Sequence, residues 1–235
     1  MNRGTIITII IGVLILGALI GGTYGYKSWK ERSIVTKIEA QLSMDPKTKD
    51  LMAAARDMES KISGNPNNPL PYLQAGLAWK GIADATGEKY FYQKALDAYS
   101  RGIKNITGEN SVLYANAGMM AKEIGDYAAA EKFYRAAINA SPGDPSNYIS
   151  LIELYRYRLK KSEPEILALY DEAMSRLVNG YDVVAHRASY LRDIGRYQDA
   201  INDFELMLKT QPGSQAIKNE IAELKALLAQ QKLKK

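Results

Sequence analysis

The chain has no cysteine and a single histidine among its 235 residues. The first absence excludes disulfides, thiolate metal sites and lipid attachment at cysteine. It does not fix the compartment. The second argues against a metal centre built on imidazoles. There is also no G-x-S-x-G, no phosphate-cradling glycine loop and no paired histidine. No catalytic residues, no metal and no cofactor are therefore expected, and the chain does not read as an enzyme. The net charge of +5 is modest and comes partly from lysines at the two ends, so no nucleic-acid partner is implied. Charged residues at 24% and hydrophobic ones at 46% are ordinary for a globular protein. The length allows one or two domains.

What the chain does have, near its start, is an uncharged run from Gly4 to Tyr26 that is mostly Ile, Val, Leu, Gly and Ala. About 20 apolar residues span the hydrocarbon core as a helix. Residues 5–26 therefore read as a transmembrane helix, preceded by a short tail, 1–4, and followed by a juxtamembrane helical linker, 27–44. Tyr24, Tyr26 and Trp29 suit the water–lipid interface. A cleaved signal peptide is the rival reading, but its apolar region runs only about 7–15 residues before a small-x-small site. The expected localisation is a membrane, through a single-pass N-terminal anchor in the lipid bilayer. Its orientation stays open. Lys27, Lys30, Arg32 and Lys37 lean toward a cytoplasmic C-terminal part, whereas Arg3 ahead of the run resembles an exporting signal anchor. Gly17, Gly21 and Gly25 have the spacing of a helix-packing face, so a homodimer is one candidate arrangement. The alternative is the ordinary abundance of glycine in membrane helices.

The centre of the chain is more informative. Ser111 to Pro142 reads SVLYANAGMMAKEIGDYAAAEKFYRAAINASP, two amphipathic helices joined by a Gly-Asp turn. Tyr114, Ala117, Gly118 and Ala121 share one face of the first; Ala130, Tyr134 and Ala137 share one face of the second. Small residues stand where helices approach closely, and aromatic ones fill the gaps beside them. The pattern resembles the tetratricopeptide repeat, a helix–turn–helix of about 34 residues. With Ser111 as repeat position 1, Tyr72, Ala75, Gly76 and Trp79 fall at positions 4, 7, 8 and 11 of an earlier unit, and Tyr148, Leu151, Ile152 and Tyr155 at the same places in a later one. Ala188, Leu191, Ala200, Phe204 and Pro212 continue the ruler, and Gly195-Arg196-Tyr197 matches Gly125-Asp126-Tyr127.

The resemblance implies an all-α fold, a right-handed solenoid of stacked helix pairs over 45–213, with units at about 45–68, 69–110, 111–144, 145–180 and 181–213, closed by a capping helix over 214–235. In the degenerate first unit Leu51, Ala54, Ala55, Met58 and Ile62 should form the buried face. The second unit carries about seven extra residues around Gly87, and of its adjacent Tyr90, Phe91 and Tyr92 at least one should be exposed. Ile152 at the close-approach position should splay the fourth helix pair. Asp97, Glu131 and Asp171 read as solvated, and His186 as a surface or groove residue.

Groove residues follow from the same resemblance. The family presents positions 2, 5, 9, 12 and 13 of each first helix to the concave face. Here positions 5 and 9 give Leu73, Leu77, Ala115, Met119, Ile149, Glu153, Ala185 and Ser189, while position 12 gives Lys80, Lys122, Arg156 and Arg192. The groove should be apolar near the start and basic along one edge, which suits another protein or peptide with acidic and aliphatic side chains. The opposing reading is that position 12 is merely solvated. The family's clamp for a terminal carboxylate needs Lys and Asn at set positions; Asn116 fits one, but Leu77 replaces the other Asn. The expected function is a non-catalytic, membrane-anchored protein–protein interaction scaffold. A self-associating structural subunit of a membrane assembly and a regulatory module of an enzyme complex are the alternatives.

Overall fold

The computed structural model describes residues 45–177 and 180–233, together with Thr36 and Ala40. The apolar run 5–26, with Gly17, Gly21 and Gly25, and nearly all of the linker lie outside the described residues. Among the described residues no helix is long and apolar enough to cross a membrane.

Ten helices, without strands, make up these residues. They are α1 (Pro46–Gly64), α2 (Pro69–Thr86), α3 (Lys89–Asn105), α4 (Ser111–Ile124), α5 (Tyr127–Ala140), α6 (Pro145–Glu153, continued by a π-helical segment, Leu154–Leu159), α7 (Glu163–Arg176), α8 (Tyr181–Asp193), α9 (Tyr197–Thr210) and α10 (Gln215–Leu233). Local chemistry sets their starts. The side chains of Asp45, Asn68, Asn110, Asp126 and Asp144 each accept a backbone N–H from the first turn that follows. These N–H groups have no partner within the helix, so a cap contributes about 1 kcal/mol. Proline opens α1, α2, α6 and α7, where its fixed φ suits the first turn. The matched turns are made alike: Gly125 and Gly195 sit at φ 94° and 76°, a left-handed conformation that a side chain disfavours.

Neighbouring helices pack in chain order. Within units two and three the contact is a tyrosine ring on bare backbone. A Cβ added at Gly76 would meet the Tyr99 ring at 2.2 Å, and one at Gly118 would meet the Tyr134 ring at 2.8 Å. Tyr72, Tyr99, Tyr148 and Tyr170 are fully buried. The core is in two parts. One runs from Met52 to Tyr190, the other from Val184 to Leu224, and Leu167 and Met174 of α7 pack against both.

Three details differ from expectation. In α1 the buried stripe is Thr48, Met52, Ala55 and Ile62, while Ala54 is exposed, so the helix is rolled by about one residue. None of the three adjacent aromatics is fully exposed. Phe91 is buried against Trp79, ring centres 6.0 Å apart, and Tyr90 and Tyr92 sit half-buried at its flanks. Unit four leaves the α-helical register at Leu154, two residues beyond Ile152, and its π turn closes on Lys160 at φ 52°.

The tyrosine-on-glycine contact can be tested. Gly118→Ala should destabilise the protein by about 1–3 kcal/mol, since the added methyl would lie 2.8 Å from the ring of buried Tyr134. Gly143→Ala, which has no heavy atom within 4 Å, should leave the urea midpoint unchanged. Equal midpoints for both variants would show that the ring does not set the helix spacing.

Candidate functional site

The first helices of successive units, α2 with α4 and α6 with α8, approach one another directly. In solenoids of stacked repeats one side forms an extended concave surface. The buried sides of these first helices hold the core. Their other sides carry the candidate groove residues.

Seven large apolar side chains are exposed among the described residues, and four belong to these helices: Leu70 (53%), Leu77 (54%), Val112 (52%) and Tyr157 (54%). Leu70, Leu73 and Leu77 follow one another at three- and four-residue steps along α2, as do Val112, Ala115 and Met119 along α4. Each set is one stripe of a helix. Leu73, Ala115, Met119, Ile149, Ala185 and Ser189 are half-buried within or beside the stripes, and Glu153 is exposed. Sequence reasoning named Leu77 but passed over Leu70, Val112 and Tyr157. Their signal was available, for they stand at positions 2, 2 and 13 of the same ruler.

The basic edge is different from the one expected. Each of its four cations has a carboxylate of the chain itself within 4 Å. Lys80 Nζ donates to Asp84 and keeps that carboxyl below the usual range; Lys122 Nζ lies 3.6 Å from Glu123. Arg156 Nη2 lies 2.9 Å from Asp193, and Arg192 Nη1 lies 3.0 Å from Glu220. Arg156 is not solvated either: its side chain is 10% exposed, with the Tyr157 and Tyr190 rings 4.9 and 4.7 Å from its guanidinium carbon. The groove therefore presents apolar stripes between internally neutralised charges. Asn116 spends its amide N–H on the Val112 carbonyl, 2.8 Å away in its own helix.

Polar contacts tie unit four to its neighbours. Tyr155 donates to Glu131 at 2.6 Å and accepts from Arg135, which also binds Glu172 at 2.7 Å. Arg187 grips buried Asp203 with two N–H groups, at 2.6 and 2.9 Å, and reaches Asp171 at 2.9 Å. Arg196 joins Glu163 at 2.8 Å. Arg187 and Arg196 line a cleft of about 220 Å³ between α7, α8 and α9. With their carboxylates already in place, they act as a polar staple across the break in the core. Glu131, read as solvated, is half-buried in these links, while Asp171 is exposed as expected and still reaches Arg187. Among the described residues no group of three or more His, Asp or Glu could hold a metal ion.

His186 is half-buried in the same junction. Its Nδ1 lies 2.7 Å from the Tyr170 hydroxyl and its Nε2 4.0 Å from Glu153. Burial, and then the Arg156 charge, push its pKa below the ordinary 6.5, against Glu153 and Asp193.

Residues 112–144 match the tetratricopeptide repeat family. No curated protein matches the chain. Solved structures do. The C-terminal part of a TPR repeat-containing protein from Cytophaga hutchinsonii is similar at 15% identity, over 77% of this chain and 68% of that one, with a TM-score of 0.61. MamA is similar at 16% identity, over 70% and 90%, with a TM-score of 0.53. A tetratricopeptide repeat protein from Parabacteroides merdae is similar at 16% identity, over 83% and 73%, with a TM-score of 0.50. The fold class is that of all-α solenoids of stacked helix pairs. The chain shares their fold, and the sequence match to the tetratricopeptide repeat covers one repeat at its centre, residues 112–144.

His186 gives a pH test. A proton taken up more readily by the unfolded chain lowers stability as pH falls. The His186 contribution is complete above 6.5, declines below it and is gone beneath the folded-state value. The stability difference between the natural protein and His186→Asn should therefore shrink between pH 7.5 and pH 5.5 in urea melts. A difference that stays constant would exclude this role.

Proposed function

We propose that the protein is a non-catalytic scaffold that seats a segment of another protein in its concave groove, on the stripes of α2 and α4. The observation that carries this reading is the concentration of exposed large apolar side chains on the first helices. Exposed apolar surface gathered in one place marks an interaction site. A segment with aliphatic side chains in register with two parallel stripes would cover it, as helices do in grooves. Because the edge cations are neutralised within the chain, recognition rests on apolar burial more than on an acidic partner. Such binding should depend weakly on salt.

The apolar run 5–26 supports membrane attachment as the second half of the proposal. An anchor raises the concentration of the groove at the membrane and adds nothing to its chemistry.

Two measurements test these halves separately. A photo-crosslinking residue at Leu77 or Val112 of the full chain should form partner adducts in cells, and one at exposed Asn139, on a second helix, should not. Equal yields at all three positions would reject the groove. For the anchor, Gly213→Cys introduces the only thiol at an exposed turn with no heavy atom within 4 Å. The chain should sediment with membranes and resist alkaline extraction. Labelling by an impermeant maleimide in intact cells then places the repeats outside the cytoplasm, and labelling only after lysis places them inside. Recovery in the soluble fraction would refute the anchor.

A further inference from the structure

The packing changes character where α7 meets α8 and α9. Earlier in the chain one unit closes directly on the next. A Cβ added at Gly102 of α3 would meet the δ-carbons of fully buried Leu113 of α4 at 3.1 Å. At the later junction, among the described residues, only Val183 and Tyr190 of α8 belong to the first core. Val184, Leu191 and the buried apolar side chains of α9 and α10 belong to the second. Two clefts flank this contact. One, of about 220 Å³, lies beside Leu167, Asp171 and Arg187; the other, of about 300 Å³, lies beside Met174, Tyr181 and Val184. Side chains at interior density would fill both.

Charges span the gap. Arg187 of α8 donates to Asp171 of α7 at 2.9 Å, and Arg196, just ahead of α9, donates to Glu163 of α7 at 2.8 Å. Arg156 of the π segment donates to Asp193 of α8 at 2.9 Å. All three carboxylates are exposed. Exposed ion pairs contribute little and are screened by salt.

Contacts on the C-terminal side of the gap are firmer. Arg187 holds buried Asp203 of α9 with two N–H groups. Arg192 reaches Glu220 of α10 at 3.0 Å, and Gln231 of α10 donates to the Gly195 carbonyl at 3.1 Å. The buried members of the second core all come from α8, α9 and α10. These helices are therefore bound to one another more firmly than to α7, which is the condition for a cooperative unit that opens separately.

We infer that the junction is a hinge: α8, α9 and α10 swing away from α1–α7 as one body, and ionic strength sets how often they do so. Closing seats Val183 and Tyr190 in the first core and brings the three carboxylates to their arginines. Opening uncovers those two side chains and leaves the second core intact. The number of units aligned in one surface thus depends on charge screening.

The chain contains no cysteine, so one introduced thiol reports one place. Val183→Cys lies in the first core at the hinge, Ile201→Cys in the second core and Ala117→Cys in unit three, and all three positions are buried. Each variant, as the detergent-solubilised full chain, is reacted with a thiol reagent under conditions where the rate follows the open population. The rate is divided by that of the same variant unfolded in urea. Val183→Cys should react at least about tenfold faster than the other two. Between about 0.1 M and about 1 M NaCl its rate should rise about fivefold, and theirs should stay within about twofold. Glu163→Gln with Asp171→Asn, added to Val183→Cys, should raise its rate about fivefold at low salt and weaken the response to salt. Equal rates at all three positions overturn the inference, because the solenoid then opens as a whole. Ile201→Cys reacting as fast as Val183→Cys also overturns it, since α8–α10 would then be unfolding rather than swinging. A fast Val183→Cys that ignores both salt and the carboxylate variants is fraying at the start of α8, and it overturns the hinge as well.

Discussion

A tyrosine ring laid on the bare backbone of a glycine sets the helix spacing of the two central units, two and three. Tyr99 on Gly76 and Tyr134 on Gly118 bring the two helices of a unit to the distance at which the rest of their faces interlock. A large aromatic side chain buries about 150–250 Å². At roughly 25 cal/mol per Å² that is about 4–6 kcal/mol before the entropy of ordering is charged against it. The same contact removes any choice in the approach. A methyl group would collide with the ring, and a smaller residue in place of tyrosine would leave a void. Helix spacing in turn positions one pair on the next, and that stacking turns the outer sides of the first helices into a continuous surface.

At the junction of units four and five this apolar logic gives way to a polar one. The core divides, and Arg187 with Asp203 and Asp171, Arg196 with Glu163, Arg156 with Asp193, and Tyr170 with His186 bridge the division. Buried charge pairs return little net stability, because desolvation offsets attraction, but removing one partner is costly. The junction is therefore fixed in geometry without being strongly bound.

Pairing of charges within the chain also decides what the groove is. Had the lysines and arginines of position 12 been unpaired, the concave face would act as a basic track. Bound to their own carboxylates, they leave apolar stripes as the surface with most to gain from a partner. The π turn of unit four leaves the Tyr157 ring exposed above a stack of Arg156, Tyr190 and Tyr170.

The repeat was legible in the sequence because its signals are local. Asn or Asp ahead of a helix, glycine at a left-handed turn, and small and aromatic residues a helical turn apart act over a few positions, so the identity of the residues is enough to read them. The tyrosine–glycine contacts lie within single units and follow from the same spacing. The roll of α1, the winding of Leu154–Leu159, the buried Asp203 and the neutralised basic edge were not legible. Each depends on which distant side chain arrives beside it: Arg156 meets Asp193 across 37 positions, and Arg192 meets Glu220 across 28. Long charged side chains reach many places, and no spacing rule selects one. The sequence by itself determined that helix pairs would stack and where each would turn. Only the tertiary structure decided which charges would cancel and which apolar side chains would be left facing solvent, since both depend on neighbours brought together by the stacking.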